Sequence, residues 1–154
     1  MQHSLDRVGI RQATAVDASR LGKLLALLFA QEVDFKPDTR RQLRALRLIL
    51  SQPNIGHIYC ATKGNSVIGM VSILFTVSTA EGGRAAWLED MVVHPDWRGR
   101  KIGGQLLHEA INRVRAAGCT RITLLTDSTN RAAIQFYEQA GFIRSGMIPL
   151  RLHL

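Results

Sequence analysis

The sequence predicts an α/β (α+β) domain, a mixed sheet with helices on both faces. Three observations carry that prediction. Four stretches repeat apolar residues at three- and four-residue spacing, as amphipathic helices do. Short apolar runs bounded by Gly, Pro, Asn and Ser read as strands. The two kinds alternate in the order β-α-α-β-β-β-α-β-α-β, which buries one sheet between helical layers. At 154 residues the chain has room for one core, so residues 1–154 are read as a single domain.

The elements follow in order. Residues 8–13 read as a short strand. Thr14 and Asp17 form a capping-box pattern. Leu21, Leu24, Leu25 and Leu28 then mark a first helix. The chain turns around 33–37, and Pro37 suits the first position of a second helix. There Leu43, Leu46 and Leu50 share one face and Arg40, Arg44 and Arg47 another. Residues 57–62 and 67–78 read as a hairpin about a Lys-Gly-Asn-Ser turn. Residues 85–94 form a third strand of that group. A basic loop leads into a helix marked by Ile102, Leu106, Leu107, Ala110 and Val114. Residues 121–126 read as a strand and 130–140 as a fourth helix, stopped by Gly141. Residues 142–154 read as one or two terminal strands.

Composition narrows the function. Lys and Arg number 20 against 12 Asp and Glu, a formal charge of +8 that invites a polyanion: nucleic acid, an anionic membrane or a phosphorylated ligand. Two cysteines, Cys60 and Cys119, lack metal-site spacing and read as thiols in a reducing compartment. No apolar run is long enough to span a membrane. The first eight residues include His3, Asp6 and Arg7 and no signal-peptide core. The expectation is a cytoplasmic protein with no membrane partner and no metal site. Nucleic acid is not expected either, because arginines interleaved with exposed aromatics are missing.

The charge has a focus. Residues 87–107 run from a strand through a Gly- and Arg-containing loop into a helix. A helix N-terminus exposes unpaired N–H groups and the positive end of its dipole, and small residues let a phosphate reach them. Gly99, Gly103 and Gly104 supply that access, while Arg98, Arg100 and Lys101 add charge. Neither a P-loop nor a dinucleotide fingerprint is present.

The run Arg98-Gly99-Arg100-Lys101-Ile102-Gly103 resembles the (Q/R)xxGx(G/A) motif of the GNAT superfamily of acyl-CoA-dependent N-acetyltransferases, with Lys101 where the commoner motif has glycine. Downstream, the segment from Asn130 to Phe142 is similar to the family's NxxAxxFYxxxGF. The likeness covers essentially the whole chain. It implies a mostly antiparallel central sheet whose central strands splay around a bulge, with acetyl-CoA as cosubstrate in the gap. Backbone groups of Met91 and Val93 would bond the pantetheine arm, and N–H groups from Arg98 through Gly99, Arg100, Lys101, Ile102 and Gly103 to Gly104 the diphosphate. Asn130 would contact the cofactor and Tyr137 reach its sulfur. The N–H of Val92 or Val93 would polarise the thioester oxygen.

Acetyl transfer to an amine needs a base, oxyanion donors and an acid for the leaving thiolate. Similarity to polyamine-type members with a Leu-Glu-Asp run points to Glu89 as base, with Asp90 second. Strand alternation sends these two to opposite faces unless a bulge resets the phase. Tyr137, a phenol protonated at neutral pH, is the expected acid. His94, before Pro95, reads as a turn residue. The acceptor expected is a small primary amine, polyamine-like or amino-acid-like. A protein lysine or N-terminus is the alternative, and a non-catalytic CoA-binding module a third. Glu32, Asp34 and Asp38 would attract a cationic amine, while the arginines at 40, 41, 44 and 47 would suit an acidic one. A homodimer is possible, as in other members.

Overall fold

A computed structural model describes residues 7–32, 34 and 36–154. The expected turn at 33–37 and the reading of the first eight residues lie in part outside them. The described chain runs β1 (Gly9–Gln12), α1 (Ala18–Phe29), α2 (Thr39–Ser51), β2 (Gly56–Lys63), β3 (Ser66–Ser78), β4 (Gly83–Val93), α3 (Ile102–Ala116), β5 (Ile122–Leu124) and α4 (Arg131–Gln139). The strands form one sheet in the order β1-β2-β3-β4-β5. The first four are antiparallel and β5 is parallel to β4.

Alternation along the strands divides the core into two layers. Ile58, Cys60, Met70 and Val92 face α1 and α2, where Leu21, Leu24, Leu25 and Leu46 cover them. Tyr59, Ala61, Val71, Ile73, Ala86 and Leu88 face the other way, onto Leu106, Leu107, Ala110 and Val114 of α3. Gly22 and Gly56 are among the glycines that permit close approach. A Cβ on Gly22 would sit 3.3 Å from Leu43 of α2, and one on Gly56 would overlap the Ile73 carbonyl oxygen at 2.2 Å.

Local signals explain most boundaries. The carboxylate of Asp17 accepts the Thr14 N–H at 2.8 Å, so the expected box forms, though it caps a 3-10 turn over Ala15–Asp17 that precedes α1. The second helix starts at Thr39, not at Pro37. Asp38 is the N-cap, its Oδ1 accepting the Arg41 N–H at 3.1 Å.

The C-terminus departs from expectation. Residues 142–154 form no strand. Ile148, Leu150 and Leu152 alternate with Pro149, Arg151 and His153, a strand pattern, yet they are 79%, 90% and 82% exposed. A pattern needs a neighbour to pair with, and Pro149 removes one backbone donor. Instead Arg151 pairs with Asp34 at 3.0 Å, tying this segment to the loop after α1. The expected strand over 121–126 likewise shortens to three residues, leaving β5 at the sheet edge.

Candidate active site

β4 builds the site. Asp90 pairs with Ser72 of β3 and Leu88 with Ile73, so Glu89 is the extra residue of a β-bulge. The bulge resets the phase. Ala86 and Leu88 face α3 before it, and Met91 and Val93 face α3 after it. Asp90 therefore turns with Val92 toward the α1 and α2 side. The conditional expectation that a bulge overrides the alternation of the two carboxylates is met.

The bulge also decides where backbone groups point. The His94 N–H bonds to the Ile68 carbonyl on β3 at 2.8 Å. By alternation Val92 also points to β3, while Met91 and Val93 point to the opposite edge. That edge is open, because β4 and β5 pair only at 86–88 with 122–124. Past Leu88 the two strands part, the splay that the sequence resemblance implied. Of the two amides expected to polarise a thioester, that of Val92 is committed to the ladder and that of Val93 faces the gap. The Val93 carbonyl accepts from Arg98 Nε at 2.9 Å, which ties the basic loop to the end of the strand.

The loop then turns into α3. Gly99 has φ 74°, and a Cβ there would meet nothing within 4 Å, as at Gly104. Lys101 takes φ 63° and is the N-cap of α3. It is the lone non-glycine residue with positive φ among those described. The lysine thus holds the conformation that the commoner motif gives to glycine. No side chain caps α3 and no acidic residue lies in its first turn, so the N–H groups of Ile102, Gly103 and Gly104 stay available to an anion. Arg100 stacks on Trp97 with its guanidinium carbon 4.7 Å from the ring centre, and Lys63 covers the same ring at 5.1 Å. Open backbone donors, open space at two glycines and nearby cations fit a diphosphate, and the free edge of β4 fits an extended arm.

Two carboxylates and a phenol complete the arrangement. Asp90 is partly buried, and its Oδ2 accepts from Ser72 Oγ at 2.7 Å. Burial pushes its pKa up to about 6 against the lowering effect of Ser72, with Glu89 and Glu32 adding like charge. Glu89 is exposed at the bulge. Burial, with Asp34 and Glu89 nearby, likewise raises Glu32. Tyr137, on α4, packs between Phe136 and Phe142 at ring distances of 5.2 and 5.7 Å, against the core layer that holds Met91 and Val93. Desolvation raises its phenol to about 12. Asn130 is the N-cap of α4, its Oδ1 accepting the Ala133 N–H at 3.1 Å. His94 accepts the Asp96 N–H at 3.3 Å, a turn role as expected. A concavity of about 590 Å³ beside Arg131 and Glu138 is lined by none of Asp90, Glu89 and Tyr137.

Comparison with known proteins decides the family. The Acetyltransferase (GNAT) family matches residues 23–142. The chain belongs to this family. The acetyltransferase is 31% identical to an aminoalkylphosphonate N-acetyltransferase of Salmonella typhimurium over 88% of its own length and 85% of that protein. It is 32% identical to a glucosamine 6-phosphate N-acetyltransferase of Trypanosoma brucei brucei, over 63% of the chain and 64% of that protein. A possible acetyltransferase from Clostridium difficile 630 shares the fold at a TM-score of 0.86 and 16% identity, with 96% of this chain and 97% of that one covered. The protein is therefore an acyltransferase with the expected mostly antiparallel sheet, and no helix among the described residues is long and apolar enough to cross a membrane.

One residue of the site escaped sequence reasoning. Ser72 carries no motif, and its one signal is being the lone hydroxyl in the apolar run 67–71 and 73–75.

Proposed function

We propose that the protein transfers an acetyl group from acetyl-CoA to the primary amine of a small molecule. The observation that carries this reading is the free edge of β4, which ends in an uncapped helix N-terminus on one side of the sheet plane and presents Asp90 toward the other. One strand thus serves a cofactor and an acceptor at once. When bound, acetyl-CoA supplies an activated thioester carbonyl.

The residues around it divide the remaining work. The first-turn N–H groups of α3, with Arg98, Arg100 and Lys101, take the diphosphate. Met91 and Val93 offer backbone partners to the pantetheine arm, and Asn130 lies at the start of the helix beside it. The Val93 N–H aims into the gap, where it polarises the carbonyl oxygen. A carboxylate must take the ammonium proton of the acceptor. Asp90 stands ahead of Glu89 for this role, because its burial holds a pKa of about 6, near the working range of a base. Glu89 and Glu32 contribute negative charge that draws the cationic amine in. Tyr137 holds at Oη the proton that a departing thiolate takes up. Its phenol stays protonated throughout the neutral range.

Among small amines, those that also carry a phosphonate or phosphate are favoured. Two relatives act on such molecules by name, and the exposed arginines at 40, 44 and 47 of α2 follow the loop that bears Glu32. Polyamine-like and amino-acid-like acceptors remain in the test. Acetyl-CoA should raise the melting temperature where NAD and ATP do not. CoA release should then be measured with an aminoalkylphosphonate, glucosamine 6-phosphate, a polyamine, free amino acids and a lysine peptide. Turnover of the phosphonate or phosphate amines above the rest supports the reading. Turnover of the peptide alone would replace it with protein acetylation, and an unchanged melting curve would remove the cofactor.

A further inference from the structure

Ser72 lies midway along β3, fully buried, with apolar neighbours in sequence on both sides. It stands directly opposite Asp90, at the step where the register shifts and leaves Glu89 unmatched. Two hydrogen bonds join the pair. Ser72 Oγ donates to Asp90 Oδ2 at 2.7 Å, and the same Oγ accepts the Asp90 N–H at 3.0 Å. A hydroxyl has one proton, and here the carboxylate receives it. The oxygen meanwhile stands in for the ladder carbonyl that the bulge displaces. Asp90 Oδ1 has no partner among the described residues.

We propose that Ser72 is a positioning residue for acceptor deprotonation, holding Asp90 by one oxygen so that the other is left for the amine. This rests on the reading that Asp90 takes the acceptor's proton. A buried serine costs stability unless its hydroxyl is satisfied, so a purely apolar strand would not select it. Both of its bonds go to a single residue, a carboxylate that burial brings toward neutrality. The device separates two adjacent acids. Asp90 is fixed, while Glu89 is thrown outward by the bulge and acts through its charge.

The groups around Asp90 make the effect readable by pH. Glu89 on its own strand and Glu32 after α1 are the charges that bear on it, both negative. The face of α1 beside it is apolar, with Leu21, Leu24 and Leu25 around Val92. From α3 and β5 no charged group among the described residues acts on it. Against burial and the two like charges, the Ser72 hydroxyl favours the ionised form, and deleting it moves the proton affinity upward.

The test is a carboxyl-carbon NMR titration of Asp90 in the full chain, for wild type, Ser72→Ala and Ser72→Thr, alongside kcat/KM against pH with an accepted amine. In Ser72→Ala the Asp90 midpoint should rise by about one pH unit, as expected for loss of a donor to a carboxylate. The acid limb of kcat/KM should rise with it, a loss of roughly tenfold below the wild-type midpoint. Acetyl-CoA affinity should hold, and Ser72→Thr should restore both midpoints. An unmoved Asp90 midpoint overturns the proposal, and so does a moved midpoint with an unmoved acid limb. If Ser72→Ala does not fold, Ser72→Cys keeps the volume with a weak donor and is judged by the same two readings. The titration needs no acceptor, so an unmoved midpoint overturns the Ser72 role even where no amine substrate is found, and the lack of a substrate by itself counts against the transfer reading alone.

Discussion

β4 meets β3 from Gly69–Val93 to Ser78–Gly83, but it meets β5 at only three positions. One strand therefore has a structural edge and a chemical edge. On the structural edge nearly every backbone group is spent on the ladder, and α1 and α2 close the face with fully buried leucines. On the chemical edge the strands part, α4 supplies only partly buried aromatics, and beyond Phe142 residues 143–154 stay irregular and exposed. The contrast teaches where stability and turnover reside. Away from Asp90 and Ser72, changes on the closed side should unfold the protein, and changes on the open side should slow it.

The largest expected effect is on the closed side, at Asp17. This carboxylate is fully buried and takes both arms of Arg11, at 2.8 and 2.9 Å, as well as the Thr14 N–H at 2.8 Å. The Arg11 bond comes first in holding its pKa down to about 2. Asp17→Ala removes one partner of a charge pair that bridges β1 to the start of α1. The loss should be about 3 kcal/mol in urea unfolding, with acetyl-CoA affinity per folded molecule unchanged. The sign with pH follows from the depressed value. The carboxylate's contribution is complete above its unfolded pKa of about 4 and disappears as pH falls toward 2. Wild type should therefore lose stability across that window more steeply than Asp17→Ala. Equal slopes would mean that the ion pair contributes nothing.

The next effect belongs to the open side. Tyr137→Phe keeps the rings of Phe136 and Phe142 in place and removes only the hydroxyl, which has no hydrogen-bond partner among the described residues. Turnover should fall roughly a hundredfold, at the lower end of what a positioned general acid contributes. The melting temperature should stay within about a degree, since an unpaired hydroxyl adds little. A variant that melts much earlier, or one that turns over normally, would erase the distinction between the two edges.

The sequence was readable to different depths on the two sides. Leu21, Leu24 and Leu25, the β2–β3 hairpin and the α3 stripe were visible because periodicity reports burial directly. The loop from Arg98 to Gly104 and the segment from Asn130 to Phe142 were visible because donor access and family likeness are local in the chain. The order of Glu89 and Asp90 was not readable. It depends on which residue the bulge leaves unmatched, and that is set by register with β3. Ser72 was hidden for the same reason, since its meaning comes entirely from the residue across the ladder. Residues 142–154 misled in the opposite direction. Alternation at Ile148, Leu150 and Leu152 announces a strand, but pattern alone cannot supply the neighbour that would pair with it.

The smallest expected effect tests how far the open side is strained for its work. Lys101 sits at φ 63° and ψ 10°, a region that costs an L-residue about 1 kcal/mol and costs glycine nothing comparable. Lys101→Gly relieves that strain but gives back some unfolded-state entropy, so the net gain should be about 0.5 kcal/mol. Lys101→Ala keeps the strain and loses the same cation. Comparing the two separates conformation from charge. Both should weaken acetyl-CoA by the same few-fold factor, larger at low salt than at high, if the ammonium faces the diphosphate. Only the glycine variant should melt later than wild type. A glycine variant no more stable than the alanine one would show that the left-handed turn is not strained. A normal acetyl-CoA affinity in both would assign the cation to solvent, leaving Arg98, Arg100 and the first-turn amides of α3 to hold the phosphates alone.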